Sequence, residues 1–208
     1  MCRTILNRLD NKTKTAFILN PNFSELQLLQ LIIKDLGILS KSKNKAALIT
    51  ALNEFLLEET SKGHNVVLII DEAQNLQERQ LEQIRLLSNL ETEKEKLLQI
   101  ILVGQPELCD KLKLNSLRQL NQRITVRYHI LPLEKSQLQD YIFHRLKVAG
   151  ANEKLIFSNE AIEEIYLYSG GTPRLVNIIC DRALLAGYVA ETFTIDYNVI
   201  KKCIEEVR

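Results

Sequence analysis

The chain has 208 residues, of which 46% are hydrophobic and 25% charged, a composition typical of a globular protein. Its 27 lysines and arginines are balanced by 26 aspartates and glutamates, so overall charge does not favour nucleic acid or an acidic membrane as a partner. The longest strictly apolar run, residues 66–70, is far shorter than the ~20 residues of a membrane-spanning helix, and no signal peptide opens the chain. We therefore expect a cytoplasmic protein. Its four cysteines are widely spaced, which predicts neither disulfides nor a zinc site.

Strand-like and helix-like segments alternate along the first part of the chain, a pattern typical of βα units around a mainly parallel sheet. Apolar runs predict strands at residues 16–19, 66–70, 100–103 and 124–130. The second and third runs are apolar at every position, so we expect them to be central strands that are covered on both faces.

Amphipathic helices are predicted between these strands. Ser24 opens a capping-box pattern, and Gly37 marks the end of the helix that follows. Ser42 begins a second helical segment that Gly63 ends. Apolar residues then recur at helical spacing through residues 78–90.

Strand character ends after Pro132, and we place a domain boundary there. The sequence therefore predicts an α/β domain over residues 1–132 and a small helical domain over residues 133–208. The helices predicted in the second domain span residues 134–149, 159–169, 173–191 and 196–207.

A Walker B pattern, an apolar strand followed by Asp-Glu, ends at Asp71 and Glu72. A buried parallel strand brings its carboxyl-terminal residues to the edge of the sheet where ligands bind. There Asp71 can hold Mg²⁺ and Glu72 can polarise an attacking water. The alternative is that Asp71 only ends the strand and starts a turn. Gln74 and Asn75 are expected to fix that turn rather than to touch nucleotide.

The phosphate-binding loop that accompanies Walker B is not found in the 208 residues. That loop, Gly-x-x-x-x-Gly-Lys-Ser/Thr, surrounds phosphates with backbone N–H groups and neutralises them with its lysine. Residues 1–9 instead predict the helix that follows such a loop. We therefore expect the loop to be encoded before Met1, and we expect the chain as given to bind ATP weakly.

Five segments together resemble the AAA+ ATPase domain of the general secretion pathway protein A family, which includes pilus-biogenesis relatives. The segments are residues 18–21 (Ile-Leu-Asn-Pro), 68–76 (Leu-Ile-Ile-Asp-Glu-Ala-Gln-Asn-Leu), 100–108 (Ile-Ile-Leu-Val-Gly-Gln-Pro-Glu-Leu), 117–124 (Leu-Arg-Gln-Leu-Asn-Gln-Arg-Ile) and 170–175 (Gly-Gly-Thr-Pro-Arg-Leu).

The resemblance covers nearly the whole chain and implies a three-layer P-loop domain with a parallel sheet, followed by a small helical lid domain. In that family residues 1–3 follow directly on Gly-Lys-Thr-Thr, which implies that the first strand and the P-loop are missing here. The missing strand is expected between residues 100–103 and 124–130. The sheet should then show either a gap there or those two strands closed together.

The resemblance also assigns two polar residues to nucleotide. Gln105 follows the strand at residues 100–103 and would contact the γ-phosphate or the water, as a sensor 1 residue does; the alternative is a loop amide before Pro106. Arg174 would be the sensor 2 residue. It falls in the first turn of a helix, where a cation opposes the helix dipole by ~0.3–1 kcal/mol, so a nearby anion explains it better than stability does.

Arg118 and Arg123 are the candidates for an arginine that completes the active site of a neighbouring subunit. Five residues at about 100° each separate the two by about 140° around a helix, so both cannot point at one phosphate. Arg123, just before a predicted strand, is preferred. A solvated or structural role stays open for either one.

The resemblance implies that ATP and Mg²⁺ bind at the junction of the two domains of a homo-oligomer. Hydrolysis would drive assembly or remodelling of a secretion or pilus machine of the inner membrane, to which family members attach through a later segment. Two alternatives stay open. One is a DNA-bound AAA+ transposition helper, which the near-zero net charge disfavours because phosphate contacts need clustered lysines and arginines. The other is a non-enzymatic interaction module.

Overall fold

The computed structural model describes residues 4, 6, 8–19, 21, 23–40, 42, 44–93, 95–152 and 154–207. The chain divides into two compact units, residues 1–127 and 128–208, whereas the sequence placed the boundary at residue 132. The helix predicted over residues 1–9 includes positions that lie outside the described residues, and Asn20 of the first motif segment also lies outside them.

The described sheet of the first unit has three parallel strands in the order β1-β2-β3. They are β1 (Thr13–Ile18), β2 (Asn65–Ile70) and β3 (Gln99–Leu102). The prediction that β2 is central is confirmed, since every residue from Val66 to Ile70 is buried. The prediction that β3 is central is wrong, because Ile101 is 38% exposed and no described strand pairs with the outer edge of β3. An apolar run indicates that both faces of a strand can be buried, but it does not show that a neighbouring strand pairs with each of its edges.

The strand predicted at residues 124–130 is also wrong. The backbone at Ile124 is extended, with φ −77° and ψ 102°, but no strand forms over residues 124–130. Val126 is 80% and Tyr128 is 88% exposed. A strand needs a hydrogen-bonded neighbour as well as apolar residues, and no described strand lies beside this segment. The sheet therefore shows neither the predicted gap nor the predicted closure; it ends at β3 within the described residues.

Within residues 23–127 as the structure describes them, five helices contribute to the apolar core on one face of the sheet. The capping box predicted at Ser24 is confirmed, but the second helix does not begin at Ser42. Asn44 caps it by accepting a hydrogen bond from the Ala46 N–H at 2.9 Å, because an asparagine side chain serves as well as a serine. The helices are α1 (Glu25–Asp35), α2 (Lys45–Ser61), α3 (Glu78–Leu87), α4 (Glu107–Leu112) and α5 (Arg118–Arg123), with 3-10 turns at Ala73–Asn75 and Asn115–Leu117.

The two faces of β2 enter different apolar clusters. Leu68 and Ile70 face the large core, which α1, α2 and α3 complete with leucines and isoleucines. Val67 and Ile69 face the opposite side, where they pack with Phe17 and others. Burial on both faces removes freedom in the position of β2, so the residues that follow it are held in place by the core.

A buried carboxylate holds the connection between α2 and β2. Glu59 is only 5% exposed. One oxygen lies 2.8 Å from His64 Nδ1, and the other accepts a hydrogen bond from Lys62 Nζ at 2.9 Å. The hydrogen bonds to His64 and Lys62 hold the pKa of Glu59 below its ordinary value, because they stabilise the charged form. These contacts therefore fix the backbone immediately before the central strand β2.

The second unit is mainly helical, as predicted. Its helices are α6 (Lys135–Val148), α7 (Asn159–Ser169), α8 (Pro173–Val189) and α9 (Tyr197–Val207), and the short strands β4 (Ile156–Phe157) and β5 (Thr194–Ile195) pair in parallel. The sequence did not predict these strands, because two residues are too few to show a strand period. Among the described residues, no helix combines the length and the apolarity that a membrane crossing requires.

The Gly170-Gly171 pair between α7 and α8 anchors the start of this unit. Both glycines have positive φ, 53° and 74°. The Leu133 N–H donates to the Gly171 carbonyl at 2.9 Å. A Cβ atom at Gly171 would lie 1.9 Å from the Leu133 carbonyl oxygen, whereas one at Gly170 would meet nothing within 4 Å.

We expect Gly171→Ala to destabilise the protein far more than Gly170→Ala. Both variants carry the cost of positive φ, about 1 kcal/mol, but only Gly171→Ala also forces Leu133 away. Urea unfolding followed by circular dichroism should show a difference of at least about 2 kcal/mol between the two free energies of unfolding. Equal losses in the two variants would mean that the contact with Leu133 has no energetic weight.

Candidate active site

Asp71 is the first residue after β2 and is fixed on both sides. Its backbone N–H donates to the Ile18 carbonyl of β1 at 2.9 Å. Its Oδ1 accepts a hydrogen bond from the Glu72 N–H at 3.0 Å. The half-buried carboxylate therefore lies at the carboxyl edge of the sheet, where parallel strands present ligand-binding residues.

Glu72 has a left-handed backbone conformation, with φ 52° and ψ 37°. Such a conformation costs a non-glycine residue about 1–3 kcal/mol and is often found at functional sites. It turns the chain so that the Ala73 N–H reaches the Val103 carbonyl, at 2.9 Å, and the 3-10 turn begins. The exposed carboxylate of Glu72 accepts a hydrogen bond from Gln74 Nε2 at 2.6 Å.

Gln105 lies beside this turn because the hydrogen bonding between β2 and β3 continues one residue beyond Leu102, the last residue of β3. The Val103 N–H donates to the Ile70 carbonyl at 2.9 Å, which aligns the loop after β3 with the loop after β2. The Gln105 N–H then donates to Gln74 Oε1 at 3.1 Å. The structure thus brings Asp71, Glu72 and Gln105 together at one edge of the sheet.

A lysine that the sequence did not single out holds the turn from the other side. Lys111 of α4 is half-buried, and its ammonium group donates to the Gln74 carbonyl at 2.5 Å and to the Leu76 carbonyl at 2.9 Å. Nothing in the sequence pattern marks this lysine, because its partners are backbone carbonyls more than thirty positions away. These bonds reach the backbone of the turn, so the expectation that the Gln74 and Asn75 side chains fix it stays a prediction.

The predicted arginines belong to helices that come later in the chain. Arg118 and Arg123 are the first and last residues of α5, Arg118 exposed and Arg123 half-buried. Arg174 belongs to the second unit, where it occupies the first turn of α8 with an exposed side chain. The predicted role of Arg174 stays a prediction, and so do those of the other five predicted site residues.

The carboxylate of Asp71 fits a magnesium ion that also binds phosphate. Mg²⁺ prefers oxygen ligands and usually keeps several waters, binding protein through one or two carboxylates and the substrate phosphates. The described residues contain no cluster of three or more His, Cys, Asp or Glu side chains suited to a metal. One carboxylate at the sheet edge therefore suits an ion that arrives with a nucleotide, and does not suit a permanent all-protein site.

Comparison with known families decides what kind of domain this is. A family model described as an AAA domain matches residues 1–112, more than half of the chain. The chain belongs to the AAA domain family. The AAA+ ATPase family generally uses ATP and Mg²⁺, in agreement with the carboxylate pair after β2.

The AAA domain is also related to general secretion pathway protein A of Aeromonas hydrophila. The two are 42% identical over 206 residues, which is 99% of this chain and 38% of that protein. This relationship confirms the family that the motif segments predicted. The chain spans about two-fifths of the relative's length.

Solved structures with the same fold have much lower sequence identity. They include the ORC2 protein of Aeropyrum pernix in its ADP form (TM-score 0.68, 14% identity, 93% of this chain and 53% of that one). Cdc6p of Pyrobaculum aerophilum (0.68, 21%, 94% and 53%) and the RuvB Holliday junction branch migration motor of Thermotoga maritima (0.54, 15%, 92% and 60%) are also similar. At these identities the likeness establishes the P-loop AAA+ fold alone.

Proposed function

We propose that this AAA domain contributes the magnesium-binding and water-activating half of an ATP-hydrolysing site. The observation that supports the proposal is the hydrogen-bonded cluster at the carboxyl ends of β2 and β3. Its hydrogen bonds link Asp71, Glu72 and the backbone N–H of Gln105 at one sheet edge. A carboxylate that holds Mg²⁺ and a residue that orients the attacking water are recurring parts of phosphoryl-transfer sites.

Each of the three residues has a separate task in the proposed reaction. Asp71 would hold the Mg²⁺, which neutralises charge on the phosphates when bound. Glu72 would orient a water and accept its proton as the water oxygen attacks the γ-phosphorus and the bond from that phosphorus to the β,γ-bridging oxygen breaks, which releases ADP. Gln105 would hydrogen-bond the γ-phosphate or that water. The products are ADP and inorganic phosphate.

Arginines outside this cluster would add positive charge at the phosphates. Arg174 would contact the phosphates as a sensor 2 residue. Arg123 would reach the γ-phosphate of a neighbouring subunit in a homo-oligomer, with Arg118 as the alternative. A residue supplied by a neighbour couples hydrolysis to assembly, because the site is complete only between subunits.

The process served is proposed from the relative. Since that relative is a general secretion pathway protein, we propose that hydrolysis assembles or remodels a secretion or pilus machine, with this domain on the cytoplasmic side of the inner membrane. No described feature favours the DNA-bound alternative: the net charge is +1, and the structural likeness to DNA-associated proteins concerns the fold alone.

Two versions of the chain test the enzymatic proposal. One is the 208-residue chain; the other is extended at its amino terminus by an apolar strand and a Gly-x-x-x-x-Gly-Lys-Thr loop. Calorimetry should show weak or no ATP binding by the first and micromolar binding by the second, because loop amides and the loop lysine make most phosphate contacts. In the extended chain, Glu72→Gln should retain ATP binding and lose about 10²–10⁴-fold in hydrolysis.

Two outcomes contradict this account. Micromolar ATP binding by the 208-residue chain would show that the loop is dispensable. Unchanged hydrolysis by Glu72→Gln would remove Glu72 from the role of catalytic base. Retention on DNA cellulose at low salt, together with ATP hydrolysis, would favour the DNA-bound alternative.

A mixing experiment tests whether the site is shared between subunits. In the extended chain, Arg123→Ala should bind ATP normally and lose about 10³–10⁵-fold in hydrolysis. Mixed with the inactive Glu72→Gln protein, it should recover activity, because some interfaces then pair an intact Glu72 with an intact Arg123. If mixed oligomers form but stay inactive, the shared site is wrong for Arg123. The same mixture made with Arg118→Ala then tests the alternative.

A further inference from the structure

The side-chain amide of Gln74 joins the two halves of the proposed site. Its Nε2 donates to Glu72 Oε2 at 2.6 Å, and its Oε1 accepts from the Gln105 N–H at 3.1 Å. One planar group therefore contacts the proposed catalytic carboxylate and the backbone of the proposed phosphate sensor. Among the uncharged side chains only a carboxamide has both a strong donor and a strong acceptor in such a fork.

The Gln74 amide passes close to residue 104, which is glycine. A Cβ atom at Gly104 would lie 2.8 Å from Gln74 Oε1, 3.2 Å from the Gln74 backbone nitrogen and 3.2 Å from Leu108 Cδ2. The first of these distances would force the Gln74 amide to move. No positive φ requires glycine at this position, so an added side chain here would act mainly through these contacts.

The turn itself does not depend on the Gln74 side chain. Backbone hydrogen bonds run from Ala73 N–H to the Val103 carbonyl, from Asn75 N–H to the Glu72 carbonyl and from Leu76 N–H to the Ala73 carbonyl. Lys111 adds two more to the carbonyls of Gln74 and Leu76. The backbone of the turn is thus held by other groups, and the Gln74 amide is left for its contacts with Glu72 in the same loop and with Gln105 in the loop after β3.

We propose that Gln74 is a positioning residue, which sets the direction of the Glu72 carboxylate and couples it to the loop that bears Gln105. The inference rests on the proposed function. A shift of that loop when Gln105 meets a γ-phosphate moves the Gln74 amide, and the amide moves the carboxylate of Glu72. The direction of the Glu72 carboxylate therefore depends on whether Gln105 contacts a γ-phosphate.

Two substitutions at Gln74 separate its two hydrogen bonds. Gln74→Ala removes both. Gln74→Glu keeps an acceptor for the Gln105 N–H, removes the donor to Glu72 and places a like charge beside it. In the extended chain, we expect both variants to lose about 10²-fold in kcat with an unchanged Kd for ATP, since a misplacement of about 1 Å can cost that much.

Hydrogen exchange on the 208-residue chain gives a readout that needs no activity. The Gln105 amide should exchange faster in Gln74→Ala and remain protected in Gln74→Glu. Glu59→Gln, at the connection between α2 and β2, serves as the control for a general loss of stability. It should lower stability but leave kcat of the extended chain within about threefold of the parent, a loss below the ~10²-fold cost of a misplaced reacting group.

A double substitution tests the contact with Gly104. Gly104→Ala should lower kcat by displacing the Gln74 amide, and adding it to Gln74→Ala should cause no further loss, since interacting residues are not additive. Full additivity of the two losses overturns the coupling.

The outcomes separate this inference from the proposed function. If the extended parent hydrolyses ATP and Gln74→Ala has the kcat of the parent, the positioning role is wrong and the proposed function stands. A kcat above that of the parent also overturns it, because Gln74 would then restrain Glu72. A loss of kcat in Glu59→Gln equal to that in Gln74→Ala shows that general destabilisation, and not positioning, lowers kcat. If the parent does not hydrolyse ATP, the proposed function fails, and this inference fails with it.

Discussion

The burial of β2 on both faces is the constraint on which the rest of the candidate site depends. Five consecutive buried side chains, Val66 to Ile70, fix the strand in the core of the first unit. Asp71 can then be held by a single hydrogen bond to Ile18 of the neighbouring strand, because the strand that precedes it cannot shift. The free energy that positions the acidic pair thus comes from apolar packing, while the pair itself stays accessible at the sheet edge.

The polar side of the site is built from short connections between two loops. The left-handed conformation of Glu72, the pairing of Ala73 with Val103 and the contacts of the Gln74 amide bring the loops after β2 and β3 together. Each connection is weak on its own, at about 0.5–1.5 kcal/mol net. Together they form a network in which one partner cannot move alone, which suits a site whose geometry must respond to a phosphate.

Local patterns predicted the parts of the molecule that depend on local causes. The apolar run before Asp71, the capping box at Ser24 and the helices of the second unit follow from burial, capping and periodicity. The strand prediction at residues 124–130 was wrong because a strand also needs a hydrogen-bonded neighbour, which its own residues do not specify. The predicted central position of β3 was wrong for the same reason. Lys111 and the link through Gln74 were missed because they join residues distant in sequence.

A crystal structure of the extended chain with a non-hydrolysable ATP analogue and Mn²⁺ tests the central claim most directly. The anomalous signal of Mn²⁺ locates the metal independently of the protein. The account predicts the metal beside the Asp71 carboxylate and the γ-phosphate beside Glu72 and the Gln105 side chain. A nucleotide bound elsewhere, or a metal with no contact to Asp71 directly or through water, would contradict it.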